Sequence, residues 1–547
     1  MMMKNIFKLI AIAGVVLVVA QGCRKDSFDI NQNPNQPTDS TVAYNVIMPA
    51  ALNNTARTVA RPWGFLQNWL GYWARSGTFA PNAQEETYQV TTNFGTGIWN
   101  ALYDNLYDYQ TMQIGAQKNG ADFYSGIARI MKAHNFALLV DIFNNVPYTE
   151  ALKGSAVTTP KYDKGVDIYK DLLRQIDTGV SLIKGASISS TGPNRNILED
   201  DIMFGTSQFS TTTITAMKGQ WAQFANTLKL RLLVHLLNAG ITTPTQVVPG
   251  FDIAAEIAKI NAEGSGIIAA DAQINPGYQT VRPNPFYNLY VVGTDGTATQ
   301  NSVFFKANSY AVGDDTKDGY YQYNGDARIN RFYSAPSGGH RGVDYGKPSL
   351  TENAASTLSS IGPGVTRGAD KPVWIITLAE ALFLKAEFQQ RGYALAGGTA
   401  ASNLRAGVQA SFVSLGLTSA AADTYINGNA TYADVDINAT PINSTNIGGG
   451  VYTILSQKWF ALNAIAPYEV WSDYKRGAIN ATTKRMVYGV AAGFRAGPPI
   501  SVYQFNTATE IPVRLLYPQT EYNYNAANVG AEGTINATSN RVFWDLQ

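Results

Sequence analysis

Few residues of this chain have the type and spacing that covalent chemistry needs. There are three histidines, His134, His235 and His340, and one cysteine, Cys23. None of them stands near another, so a zinc site built on His and Cys is excluded. No H-E-x-x-H, G-x-S-x-G or phosphate-loop motif occurs. Glu85 and Glu86 could be imagined as a glycosidase pair. Adjacent residues on an extended chain point to opposite faces, so the two read instead as a solvated edge. The run D-D-T-K-D-G from Asp314 begins like a calcium loop, with Asp314 and Asp318 as candidate ligands. Thr316 stands at its third position and Gly325 at its twelfth, where a loop of this kind has a bidentate Glu, so a polar turn is the plain alternative.

Non-covalent binding has better candidates. Tyr287, Tyr290, Tyr310, Tyr320, Tyr321 and Tyr323 lie in a Gly- and Asn-rich stretch without helical period. An aromatic face suits the C–H face of a sugar ring or a peptide side chain, and nearby Asn, Asp and Arg orient it by hydrogen bonds. The segment 63–73, W-G-F-L-Q-N-W-L-G-Y-W, is richer still in aromatics. Its near-helical spacing favours a buried face over a sugar platform, and Trp73 at its end is kept as a ligand candidate.

These residues need a scaffold, and the chain begins with an export signal. Lys4 and Lys8 precede twelve apolar or small residues, 9–20, too few to span a bilayer comfortably. Gly22-Cys23 follows, as a lipoprotein peptidase requires, with Gln21 an atypical neighbour. Residues 1–22 read as a removed signal and Cys23 as the lipidated first residue. Residues 23–40 read as a flexible tether and 41–547 as one domain. The formal charge of +1 falls to −1 once Lys4 and Lys8 are removed, which gives no basic surface for nucleic acid. With one cysteine there is no internal disulfide, so a core must hold the domain.

The fold class expected is mainly α. Apolar residues recur at helical spacing from Val42 to Pro62, with Val46, Ile47, Ala50 and Ala51 on one face, and again over 98–117, 121–143, 165–183, 215–238 and 251–261. His134 falls on the apolar stripe of the third of these segments and reads as a core histidine. Helices return at 372–391 and 400–415, and over 452–476 with a break near Pro467. Between them lie two insertions, about 264–372 and 417–449, where short strands or hairpins and functional loops are expected. Recurring antiparallel pairs suggest a tetratricopeptide-like helical-repeat scaffold with degenerate repeats.

Several stretches, in order, resemble the SusD/RagB family of nutrient-binding lipoproteins, and most closely its second, SusD-like branch. They are the tether from Cys23; the turn N-V-P-Y-T-E-A from Asn145; and the helix K-G-Q-W-A-Q-F-A-N-T-L-K-L-R from Lys218 to Arg231. Asp326-Ala327-Arg328 follows, then L-A-E-A-L-F-L-K-A-E from Leu378, E-V-W-S-D-Y-K-R from Glu469, and I-P-V-R from Ile511 with Tyr517-Pro518 and Glu521.

The resemblance implies a non-catalytic protein anchored by Cys23 on the extracellular face of the outer membrane. It implies capture of an oligosaccharide or a peptide, and delivery to a SusC-like TonB-dependent transporter barrel as its lid. The motifs look structural and carry over no ligand residues. Two rivals remain at this point: a lipid-anchored glycoside hydrolase and a periplasmic helical-repeat scaffold. No cofactor is expected beyond the calcium ion considered at Asp314.

Overall fold

Helix-forming segments separated by short, capped turns set the architecture. A computed structural model describes residues 42–546 except Pro62, Ser207, 239–245, 440–448, 478–484 and 490–495. The signal, the tether up to residue 40 and Cys23 lie outside the described residues. In chain order the principal helices are α1 (Tyr44–Ala60), α2 (Thr96–Lys118), α3 (Asp122–Phe143), α4 (Gly165–Gly185) and α5 (Ile214–His235). They continue with α6 (Ile253–Glu263), α7 (Pro285–Tyr290), α8 (Leu378–Gln390), α9 (Ala400–Ser414), α10 (Ser419–Gly428), α11 (Gly449–Leu462) and α12 (Pro467–Arg476). Four of the short strands matter here: β1 (Trp73–Arg75), β2 (Ala272–Ile274), β3 (Phe305–Ala307) and β4 (Val373–Ile376). They form two antiparallel pairs, β1 with β3 and β2 with β4. Among the described residues no helix is long and apolar enough to cross a membrane.

Three residues connect α2 to α3, which forces an antiparallel pair. α3 packs against both α2 and α4, and α8 packs against α9 and α11. The α3–α4 crossing is close because each helix offers a glycine. A Cβ on Gly126 would sit 2.7 Å from the Gly179 carbonyl oxygen, and one on Gly179 would sit 2.8 Å from that of Gly126. The expected mainly-α scaffold of helix pairs is the fold observed.

Charged pairs inside the core tie the helices together. Arg231 of α5 forms a two-pronged bridge to Glu380 of α8 at 2.7 and 2.8 Å. Arg476 of α12 does the same with Glu387 of α8 at 2.6 and 2.7 Å. Arg328 and Asp326 pair at 2.7 Å with both side chains fully buried. The segments after α12 wrap the body. Trp471 donates to the Pro512 carbonyl at 2.7 Å, and Trp544 donates to Asp141 at 2.7 Å.

Four expectations change. The inner face of α1 is Met48, Ala51, Leu52 and Thr55, while Val46 is 61% exposed and Ala50 also faces solvent. Helix 372–391 is shorter than expected: V-W-I-I forms β4, because its branched residues suit a pleated surface, and Thr377 caps α8 by accepting from the Glu380 N–H. The described part of the insertion 417–449 contains α10, capped by Thr418. Glu85 and Glu86 stand on a helical turn and not on an extended chain. Glu86 pairs with Arg75 at 2.6 Å, and Glu85 accepts from Asn68 at 2.7 Å. They still diverge and form no acid–base pair.

Candidate ligand-binding cleft

The first insertion folds back onto the last turns of α1. Asn284 caps α7 by accepting from the Phe286 and Tyr287 N–H groups, and Pro285 fits the first helical position. Tyr290, at the other end of α7, donates to the Arg61 carbonyl at 2.9 Å. Tyr278 donates to Asn53 of α1 at 2.9 Å. Between these two ties lies a cleft of about 390 Å³, lined by both segments.

Its charged lining is entirely positive. Arg57 and Arg61 lie one helical turn apart at the end of α1, and Arg282 reaches in from the loop before α7. All three are exposed, and none makes an ion pair with a described residue. Tyr278, Asn53, Asn288 and Thr294 add hydroxyl and amide groups, and no carboxylate lines the cleft. Burial raises the Tyr278 hydroxyl above its ordinary pKa, and Arg57 partly offsets this. The arrangement can donate many hydrogen bonds to hydroxyl or carboxylate oxygens. It has no acid, base or nucleophile with which to cleave a glycosidic bond.

The tyrosines expected to meet ligand are mostly internal. Trp73 and Tyr290 are buried against each other, with ring centroids 5.2 Å apart, beneath α7. Tyr310, Tyr320 and Tyr321 are fully buried around Trp459. Tyr320 donates to Asp434 at 2.7 Å and Tyr321 to the Phe460 carbonyl at 2.9 Å. These five are corrected from ligand contacts to core: Trp73 stands on β1, Tyr290 on α7, and Tyr310, Tyr320 and Tyr321 on single helical turns, and each ring is turned into the apolar interior. Tyr323, half-buried, packs on Tyr432. Tyr287, also half-buried, lies on α7 but does not line the cleft. Of the seven candidates, Trp73 and Tyr290 come together, as do Tyr310, Tyr320 and Tyr321 around Trp459, and none of the seven lines the cleft.

The loop at Asp314 does not fit a calcium ion. One Asp314 oxygen already accepts from the Thr316 N–H at 2.8 Å, the Thr316 hydroxyl at 2.6 Å and the Lys317 N–H at 3.0 Å. Asp315 pairs with Arg341 at 3.0 Å. Among the described residues no three His, Cys, Asp or Glu side chains converge, Asp318 included. Calcium takes six to eight oxygens.

Sequence reasoning missed the cleft arginines. Arg57 and Arg61 share one face at i, i+4, which was a readable signal; Arg282 had none. His134 is in the core as expected. Burial and the Arg231 charge push it down to about 4, so it is neutral.

The profile of the second SusD-like family, described as starch-binding and associating with the outer membrane, matches residues 32–489. Comparison with curated protein sequences finds no significant match. Among solved structures, a SusD homologue from Bacteroides fragilis aligns with a TM-score of 0.67 at 19% identity, over 92% of this chain and 99% of its own. A chitin-binding SusD homologue from Flavobacterium johnsoniae aligns with a TM-score of 0.66 at 20% identity, over 91% and 99%. A SusD/RagB family protein from Bacteroides thetaiotaomicron aligns with a TM-score of 0.67 at 17% identity, over 92% and 99%. At such identities the structures establish the fold. The profile match covers most of the sequence, and with it the chain belongs to the SusD-like family of outer-membrane-associated binding proteins.

Proposed function

We propose that this protein captures an oligosaccharide in the cleft between α1 and α7, without cleaving it. In this reading it hands the ligand to a SusC-like TonB-dependent barrel, for which it serves as the lid. Cys23 carries the lipid that holds it on the extracellular face of the outer membrane. The observation that carries the reading is the chemistry of the cleft: three arginines, a tyrosine and neutral donors, with no carboxylate. Guanidinium and amide groups donate to ring hydroxyls and to uronate carboxylates alike, and the charge-assisted bonds to a carboxylate are the stronger. Family membership supports the membrane and the binding role, and a chitin-binding relative supports a glycan.

The purified chain should bind a member of an oligosaccharide panel in calorimetric titration and leave it intact. Arg57→Ala and Arg282→Ala should weaken that binding. Affinity for peptides alone would replace the ligand class, and turnover of the glycan would favour a hydrolase. No affinity for either pool, with no barrel co-purifying, would sink the proposal. Cys23→Ser should move the protein out of the membrane fraction with its body still folded.

A further inference from the structure

A second cavity, about 250 Å³, lies inside the helical scaffold, away from the cleft. α2, α3 and α4 wall it, and the turn after α3 closes it. Its charged lining is Arg129, Lys132 and Lys153, again without a carboxylate. Lys132 and Arg129 are half-buried and Lys153 is exposed; an ammonium drawn partly out of water is ordinarily paired with a carboxylate. Lys132 instead donates only to the amide oxygen of Gln110 at 2.6 Å. Burial pushes it down to about 8; Arg129 adds to this and Asp171 opposes it.

Two further groups in the same cavity lack partners. Arg129 donates through one terminal nitrogen to Gln175, while its Nε is buried with no acceptor. Gln113 is 8% exposed, and its Oε1 is buried with no donor. The nearby Asp171 is taken up by Tyr148, Arg174 and Gln175. Leu152, on the closing turn, holds a backbone φ of +61°, which a non-glycine residue adopts only when its surroundings impose it. The cavity lining therefore combines excess positive charge, an unused cationic N–H and an unused acceptor.

We propose that this cavity binds a small hydroxycarboxylate of the sugar-acid type. Its carboxylate would lie between Lys132 and Arg129, and a hydroxyl would donate to Gln113. The volume falls below that of drug-sized sites, which restricts the occupant to a single small ring or chain.

Titration of the purified full-length chain with sodium glucuronate tests this, with glucose and sodium chloride at matched concentrations as controls. A saturable heat is expected from glucuronate alone. Lys132→Met, which removes a half-buried charge that has no carboxylate partner, should fold and weaken binding tenfold or more. Gln113→Met should weaken glucuronate and leave acetate unchanged. Glucuronate heats no larger than those of sodium chloride would overturn the inference. So would binding that survives Lys132→Met but is lost in Arg57→Ala, because that places the ligand in the cleft. Wild-type crystals grown with glucuronate give an answer that depends on no variant: density between Lys132 and Gln113 supports the site, and an empty cavity overturns it.

Discussion

The arginines of the core and those of the cleft are the same side chain in opposite circumstances. Arg231, Arg328 and Arg476 are buried, and each meets a carboxylate. Burial works against their charge, and Glu380, Asp326 and Glu387 outweigh it, so all three are held above the ordinary guanidinium pKa. Arg57, Arg61 and Arg282 are exposed in a cleft with no carboxylate at all. Placement thus separates structural charge, which is neutralised inside the fold, from charge left available to a ligand.

The largest expected effect breaks the structural side. Arg476→Met would leave Glu387 and Asp473 buried, with Arg391 as the remaining partner of Glu387 at 2.7 Å and Lys458 as that of Asp473 at 2.7 Å. Removing one partner of a buried pair costs about 3–5 kcal/mol. Urea denaturation should show a loss of that size, with the midpoint shifted and the slope kept. A loss under about 1 kcal/mol would mean that the core pairs are no more structural than those of the cleft.

This division explains what could be read in advance. Helices α3, α4, α5 and α9 were legible because their apolar residues repeat at the helical period over long segments. The family-like motifs were legible as structural, and their ionic residues Arg231, Asp326, Arg328, Glu380, Glu387 and Glu469 are the buried pairs themselves. β4 was hidden because V-W-I-I directly abuts a helix, so one apolar run spans two elements. The proposed binding surface was hidden for a different reason. Tyr310, Tyr320 and Tyr321 stand on single helical turns, Ser309–Val312 and Tyr320–Tyr323, too short to show a period that says which way a ring turns. Arg282 meets Arg57 only through the fold, across more than two hundred residues.

His235 sharpens the structural side through pH. It is buried between Glu469 at 3.1 Å and Asp141 at 3.3 Å. Burial alone would lower its pKa; the two carboxylates outweigh burial and hold it at about 9. The folded value lies above the ordinary 6.5, so the bound proton stabilises the fold. That contribution is complete below about pH 6.5 and is lost as pH rises through about 9, a change of about 3 kcal/mol. Lys132 and Lys475, held near 8 by burial, titrate in the same window with the opposite sign. The readable quantity is therefore the difference between wild type and His235→Gln, measured by denaturation from pH 6 to 9.5. Parallel profiles would refute the assignment, and the ring titration of His235 by NMR checks the wild type directly.

On the cleft side the expected effect is on affinity. A hydrogen bond from a charged group contributes about 1.5–3 kcal/mol. Arg282→Ala should therefore weaken binding of the proposed oligosaccharide ligand by about 10- to 150-fold in titration calorimetry. Loss confined to acidic oligosaccharides would identify a uronate contact; equal loss for neutral ones would identify hydroxyl contacts. Unchanged affinity for both would separate ligand binding from this cleft.

The smallest effect is the counterpart of the first. Arg57→Ala should change folding stability by about 0.5 kcal/mol or less, because the side chain is exposed and has no described partner. What it does contribute is a positive charge in the last turn of α1, where the helix dipole favours one. Arg61 stands one turn on and repels it, which offsets part of that gain. Both terms act through solvent and shrink with salt, since the screening length is about 8 Å at physiological ionic strength. The loss in Arg476→Met arises in the dry interior and should persist at 0.5 M salt. Denaturation of both variants at low and high salt therefore reads the two environments independently of any ligand. A large, salt-resistant loss in Arg57→Ala would show that the cleft charge is structural, and the distinction between the two sets of arginines would fail.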